Sequence, residues 1–107
     1  MEEKSDFCLV MTTCESAEEA RKLARRLVEK RLAACVQMLD IQSVYLWQGK
    51  VSEDPEVLLL IKTSSGAYAA LETFIGENHP YDVPELVRLP VDGGLPAYLS
   101  WIRESTG

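Results

Sequence analysis

The sequence has 107 residues, of which 47% are apolar and 26% charged, with a net charge of −6. That is one soluble domain spanning residues 1–107, with room for a single core and none for a separate catalytic lobe. The negative balance excludes binding modes that need dense positive charge, so neither nucleic acid nor an anionic membrane is an expected partner.

In chain order, "DFCLVMTT" (Asp6 to Thr13) is apolar on both alternating faces, as a strand buried on both sides would be. "CESAEEARKLARRLVEKRLAA" follows as a helix. Ser16 stands as its N-cap with Glu19 three residues on, a capping box, and Ala20, Leu23, Leu27 and Val28 recur at helical spacing. Six of the eleven basic residues lie between Arg21 and Arg31. Interleaved Glu18, Glu19 and Glu29 and the absence of base-stacking aromatics make this a solvated helix face.

From Cys35 the chain turns β-branched and aromatic, and "CVQMLDIQSVYLWQGKV" reads as a long strand. The polar cluster "SEDPE" predicts the hairpin turn at Glu53-Asp54-Pro55, with Gly49 as a bulge inside a strand from Ser43 to Val51 of roughly 30 Å. "EVLLLIKT" continues as a buried strand. "SSGAYAALETFIGENH" then places Ala67, Ala70, Leu71, Phe74 and Ile75 on one helical stripe. A fourth strand, "ELVRLPV", is demoted to an edge by Pro90, and "LPAYLSWIRES" is a third helix with Leu95, Leu99 and Ile102 inward.

The order strand, helix, strand, strand, helix, strand predicts an α+β fold, a ferredoxin-like βαββαβ sandwich with both main helices on one face, a long β-hairpin and an extra C-terminal helix. Tyr45, Leu46 and Trp47 on the hairpin have no third layer to cover them, which implies a partner subunit. No apolar run approaches the ~20 residues of a membrane span, and "MEEKSDF" lacks a secretion signal, so a cytoplasmic location is expected. Cys8, Cys14 and Cys35 are odd in number and form no C-x-x-C, and are read as reduced thiols.

Six collinear segments, "EKRLAACV", "SVYLWQGKV", "LLIKT", "HPYDVPEL", "LPV" and "YLSWI", resemble the CutA family of divalent cation tolerance proteins. The resemblance implies a homotrimer with hairpins pairing across subunits, similar in architecture to PII signalling proteins. It also implies binding of divalent metal ions, copper among them. Some bacterial members pair two adjacent histidines at this loop and carry a cysteine near the end of the first strand; here Asn78 precedes His79 and Thr12 holds the strand position.

"HPYDVPE" admits two readings. As a corner, His79 meets the negative end of the second helix, Pro80 stops that helix, and Pro84 starts the next strand. As a site, the His79 imidazole lies beside Tyr81, Asp82 and Glu85, donors that suit Cu(II) or Zn(II). Cys35 and Cys14 are the thiolate candidates for Cu(I), although a cysteine opening a strand more often acts as a small hydrophobe. Lys62, ending a buried strand, must pair with an acid or reach a cleft, so Lys62 and Tyr81, with Glu85, Tyr45 and Trp47, are candidates for a small anionic ligand in a PII-like signalling or scaffold trimer. No nucleophile and base stand at recognisable spacing, and no enzyme and no organic cofactor are expected.

Overall fold

A computed structural model describes residues 5–107; residues 1–4, the start of the stretch "MEEKSDF", lie outside them. Strand β1 (Phe7–Cys14), helix α1 (Ala17–Glu29), strands β2 (Cys35–Trp47) and β3 (Lys50–Ser64), helix α2 (Tyr68–Asn78), strand β4 (Val87–Val91) and helix α3 (Pro96–Ser105) follow one another. The four strands form one antiparallel sheet in the order β2-β3-β1-β4. This is the predicted ferredoxin-like arrangement.

Strand alternation divides the sheet into two faces. Cys8, Val10, Thr12 and Cys14 of β1, paired with Thr63, Ile61, Leu59 and Val57 of β3, turn toward α1 and α2. Ala20, Leu23, Ala24 and Leu27 of α1 and Leu71 and Ile75 of α2 close that core. The opposite face is covered only at one end, where Ile102 and Leu99 of α3 pack on Phe7, Ala34 and Val91. The rest of it, with Leu39, Val87 and Leu89, is exposed.

Helix α1 begins as the capping pattern requires, with the Glu19 N–H donating to Ser16 Oγ at 3.2 Å. It ends in a Schellman motif: the Leu32 N–H reaches Leu27 O at 2.9 Å and the Arg31 N–H reaches Val28 O at 3.0 Å. Arg31 takes the left-handed position with φ 60°, where glycine is the unstrained choice. Its guanidinium offsets that strain by holding the carbonyls of Glu104 and Gly107 at 2.6 and 3.0 Å.

Three expectations fail here. The hairpin turn is at Gln48-Gly49, with φ of 50° and 79°, and Trp47 pairs directly with Lys50. Two consecutive positive φ values define the tight turn whose twist matches the flanking strands. Glu53, Asp54 and Pro55 instead continue β3, opposite Val44, Ser43 and Gln42. Pro55 is tolerated because β3 has already lost its β1 neighbour, which ends opposite Val57. Val28 and Ala70 face solvent rather than the core, and Leu95, at 71% exposure, caps α3 instead of packing inward.

A Cβ at Gly49 would meet no atom within 4 Å, so only backbone strain opposes a side chain there. Gly49→Ala is therefore expected to destabilise the fold by about 1 kcal/mol, read from urea denaturation.

Candidate functional site

The loop after α2 is anchored by its histidine. His79 is the C-cap of α2, its N–H donating to Ile75 O at 2.9 Å, and its side chain is buried. Ring atom Nε2 lies 2.7 Å from Thr13 O, and Nδ1 lies 3.1 Å from the Tyr81 backbone nitrogen. A carbonyl can only accept and an amide N–H only donate, so the proton sits on Nε2 and Nδ1 carries the acceptor lone pair. Both nitrogens are engaged. Strand β4 begins opposite Met11, and two residues further along β1 the Thr13 carbonyl is met by this imidazole instead of by a strand.

Tyr81 packs against His79 with the two rings tilted at 58° and their centroids 4.6 Å apart, and directs its hydroxyl to Glu56 Oε2 at 3.3 Å. Burial pushes its phenol up to about 12, with the charges of Glu56 and Glu15 and its hydrogen bond to Glu56 adding to the effect. Cys14, buried at the end of β1, is likewise pushed up to about 11, first by burial and then by Glu19 and Glu56. One end of the sheet thus gathers Cys14, His79, Tyr81 and three carboxylates. It favours cations and disfavours any further negative charge.

The remaining candidates lie elsewhere. Lys62 stands six residues along β3 from Glu56 on the same face, roughly 20 Å away at the usual rise per residue. Its Nζ is 3.3 Å from Tyr98 Oη, and Cys35 is its cross-strand neighbour. Lys62 and Tyr81 therefore do not meet within one chain. Tyr45 and Trp47 sit near the hairpin tip, with Tyr45 Oη donating to Asp54 Oδ2 at 2.5 Å, and Asp82 and Glu85 are exposed in the loop. Among the described residues no three His, Cys, Asp or Glu side chains are grouped to hold a metal ion. Among the described residues, that end of the sheet is therefore negatively polarised but holds no complete coordination set.

Sequence reading missed Glu56, Glu15 and Tyr98. Glu56 joins the site only through the register that pairs Cys14 with Val57, which no local motif encodes. Tyr98 was accessible: with Trp101 it makes an i,i+3 aromatic pair in "YLSWI", and the two rings lie 5.5 Å apart.

The family model of the CutA1 divalent ion tolerance protein matches residues 8–105. The chain belongs to the CutA1 family. It is 49% identical over 100 residues to the divalent-cation tolerance protein CutA of Thermus thermophilus, covering 92% of this chain and 97% of that one. To mouse protein CutA it is 48% identical over 95 residues, 88% of this chain but only 54% of the mouse protein, about half its length. Among solved structures, CutA1 of a psychrotrophic Shewanella superposes with a TM-score of 0.93 at 38% identity, covering 97% of this chain and 98% of that one. Relatives differ in the compartment their names carry, chloroplastic in Arabidopsis thaliana and periplasmic in Archaeoglobus fulgidus. In this CutA1-family chain no described helix is long and apolar enough to cross a membrane.

The raised thiol and phenol have a consequence for stability. In the unfolded chain each ionises near its ordinary value, 9.0 for the thiol and 10.0 for the phenol, whereas the fold holds Cys14 protonated to about 11 and Tyr81 to about 12. The unfolded state loses these protons first, so stability is intact below about pH 9 and falls as pH rises through 11 to 12. Urea midpoints measured across this range are expected to drop, and the Cys14→Ser variant should lose the lower part of the decline.

Proposed function

We propose that this CutA1-family chain is a cytoplasmic homotrimer subunit that binds divalent cations, copper among them, in metal ion tolerance or response, without enzymatic turnover. The observation that carries the reading is the convergence of Cys14, Tyr81, Glu15, Glu19 and Glu56 at one end of the sheet, where burial, with the glutamate charges adding to it, raises the thiol and the phenol. A cation entering that mouth relieves the repulsion. The missing ligands come from a neighbouring subunit, because no closed set exists among the described residues of one chain. His79 would join the set only by giving up the hydrogen bond that its Nδ1 lone pair accepts from the Tyr81 N–H, which ranks it behind Cys14 and Glu56; Cys35, on the far side of the sheet, would hold a separate soft ion. The exposed apolar face opposite α1 and α2 supports the trimer.

A second reading has its own observation. Lys62 is half-buried with the Tyr98 hydroxyl as a hydrogen-bond partner, and no carboxylate lies within ion-pair distance among the described residues. That arrangement fits a PII-like signalling or scaffold trimer taking a small anion there.

Calorimetric titration of the reduced, metal-free protein with copper separates the two. Submicromolar binding at a whole number of ions per trimer, weakened at least about tenfold in Cys14→Ser or Glu56→Gln, supports the cation reading. Weak, non-stoichiometric binding unchanged in those variants would sink it and direct attention to phosphate binding at Lys62.

A further inference from the structure

One charged side chain stands in the apolar face that α1 and α2 leave uncovered. Strand alternation turns Lys62 to that face with Leu58 and Leu60, and its cross-strand neighbours are Leu9 on β1 and Cys35 on β2. Along the face between Lys62 and Glu56, no strand residue carries a charge. The ion pairs among the described residues are Arg25 with Glu29 and Arg103 with Asp6, so no carboxylate answers this ammonium. A half-buried cation in apolar surroundings is costly unless an anion meets it.

Helix α3 supplies a wall beside it. Leu99 and Ile102 pack on the sheet, which leaves Tyr98 and Trp101, three residues apart, on the open side. The two rings lie 5.5 Å apart with their planes tilted at 33°, and they are 38% and 43% exposed. Lys62 Nζ is 3.3 Å from Tyr98 Oη and 5.4 Å from the Tyr98 ring centroid. An ammonium can only donate, so the phenol oxygen accepts and its own O–H stays free, while two N–H groups of Lys62 have no partner among the described residues. Three unspent donors therefore stand beside two exposed aromatic rings. The end of α3 is tied down, because Arg31 holds the carbonyls of Glu104 and Gly107 and Ser64 Oγ lies 2.8 Å from Thr106 Oγ1. Donors and rings are thus held in place before any ligand arrives.

We propose that Lys62, Tyr98 and Trp101 bind a small organic monoanion, a carboxylate attached to a flat ring. This deepens the anion reading of Lys62 given above and rests on it. The carboxylate accepts from the ammonium and from the Tyr98 hydroxyl, and the ring lies against Trp101. A single ammonium balances a single negative charge, whereas a dianion would meet the field of a chain with net charge −6. The exposed rings favour a flat apolar body over a bare carboxylate, because that body adds burial that acetate lacks. Glu56 is roughly 20 Å away along β3 at the usual rise per residue, so an anion here and a cation at the acidic end of the sheet do not compete.

The test titrates the full chain with 2-naphthoate, cyclohexanecarboxylate and inorganic phosphate, followed by calorimetry and by NMR of the backbone amides and the tryptophan indoles. 2-Naphthoate is expected to shift Cys35, Lys62, Tyr98 and Trp101, with the other two probes bound at least about tenfold more weakly. Lys62→Met, which keeps the apolar stem, and Trp101→Leu should each weaken 2-naphthoate at least about tenfold. The shift map on the wild type locates the site even if a variant folds poorly. Shifts centred on Trp47 instead would overturn the proposal. Phosphate or cyclohexanecarboxylate bound at Lys62 as tightly as 2-naphthoate would overturn the flat-ring carboxylate and leave the anion reading standing. No probe bound at Lys62, as when a carboxylate of a neighbouring copy already occupies it, would overturn both.

Discussion

Leu89→Asp is expected to dissolve the proposed trimer, and folding with it, at micromolar protein. Leu89 pairs with Leu9 on the face of the sheet opposite α1 and α2 and is 44% exposed in the single chain. If the subunit stood alone, an aspartate there would cost about 0.5 kcal/mol, the scale of most surface changes. In a trimer packed through that face, the carboxylate would be buried without a partner, at a cost of several kcal/mol in each of three copies. Sedimentation of the wild type should give three times the subunit mass, with an unfolding midpoint that rises with concentration. A variant still trimeric, or a compact wild-type monomer, would remove the basis for the assembly.

The second large effect concerns His79. Removing the ring in His79→Ala leaves the Thr13 carbonyl and the Tyr81 N–H without their partner and opens a void in a buried position. The expected loss is about 2–4 kcal/mol of unfolding free energy in the absence of any metal. Urea denaturation in a chelating buffer measures it. Stability equal to wild type would show that the latch is dispensable and would return His79 to the front rank of metal ligands. The same result bears on any copper titration of this variant: lost binding means little unless the variant is shown to be folded.

Much of this architecture is legible in the residues. Apolar alternation in "DFCLVMTT" and "EVLLLIKT" places the central strands, and Ser16 with Glu19 places the start of α1, because those signals arise from local geometry. The hairpin turn was misplaced for an equally local reason. Glutamine is an unusual occupant of a left-handed turn position, so Gln48-Gly49 carries half the usual signature, whereas "SEDPE" has the composition of a turn yet lies in a strand whose outer side is open. The site was less legible. His79 and Thr13 lie 66 residues apart, and Lys62 and Tyr98 lie 36 apart. Contacts of that kind depend on register and crossover, which no short motif records.

Strand β1 sits between β3 and β4, pairing Phe7 with both Ser64 and Val91. It is thus made early during synthesis but completed late. The β2-β3 hairpin closes over a two-residue turn and can form as it emerges, while Leu9, Val10 and Met11 wait for partners about fifty residues downstream. Until β4 leaves the ribosome, the nascent chain carries a sheet with its middle strand open along one side, the exposed edge that invites aggregation or recruits a chaperone.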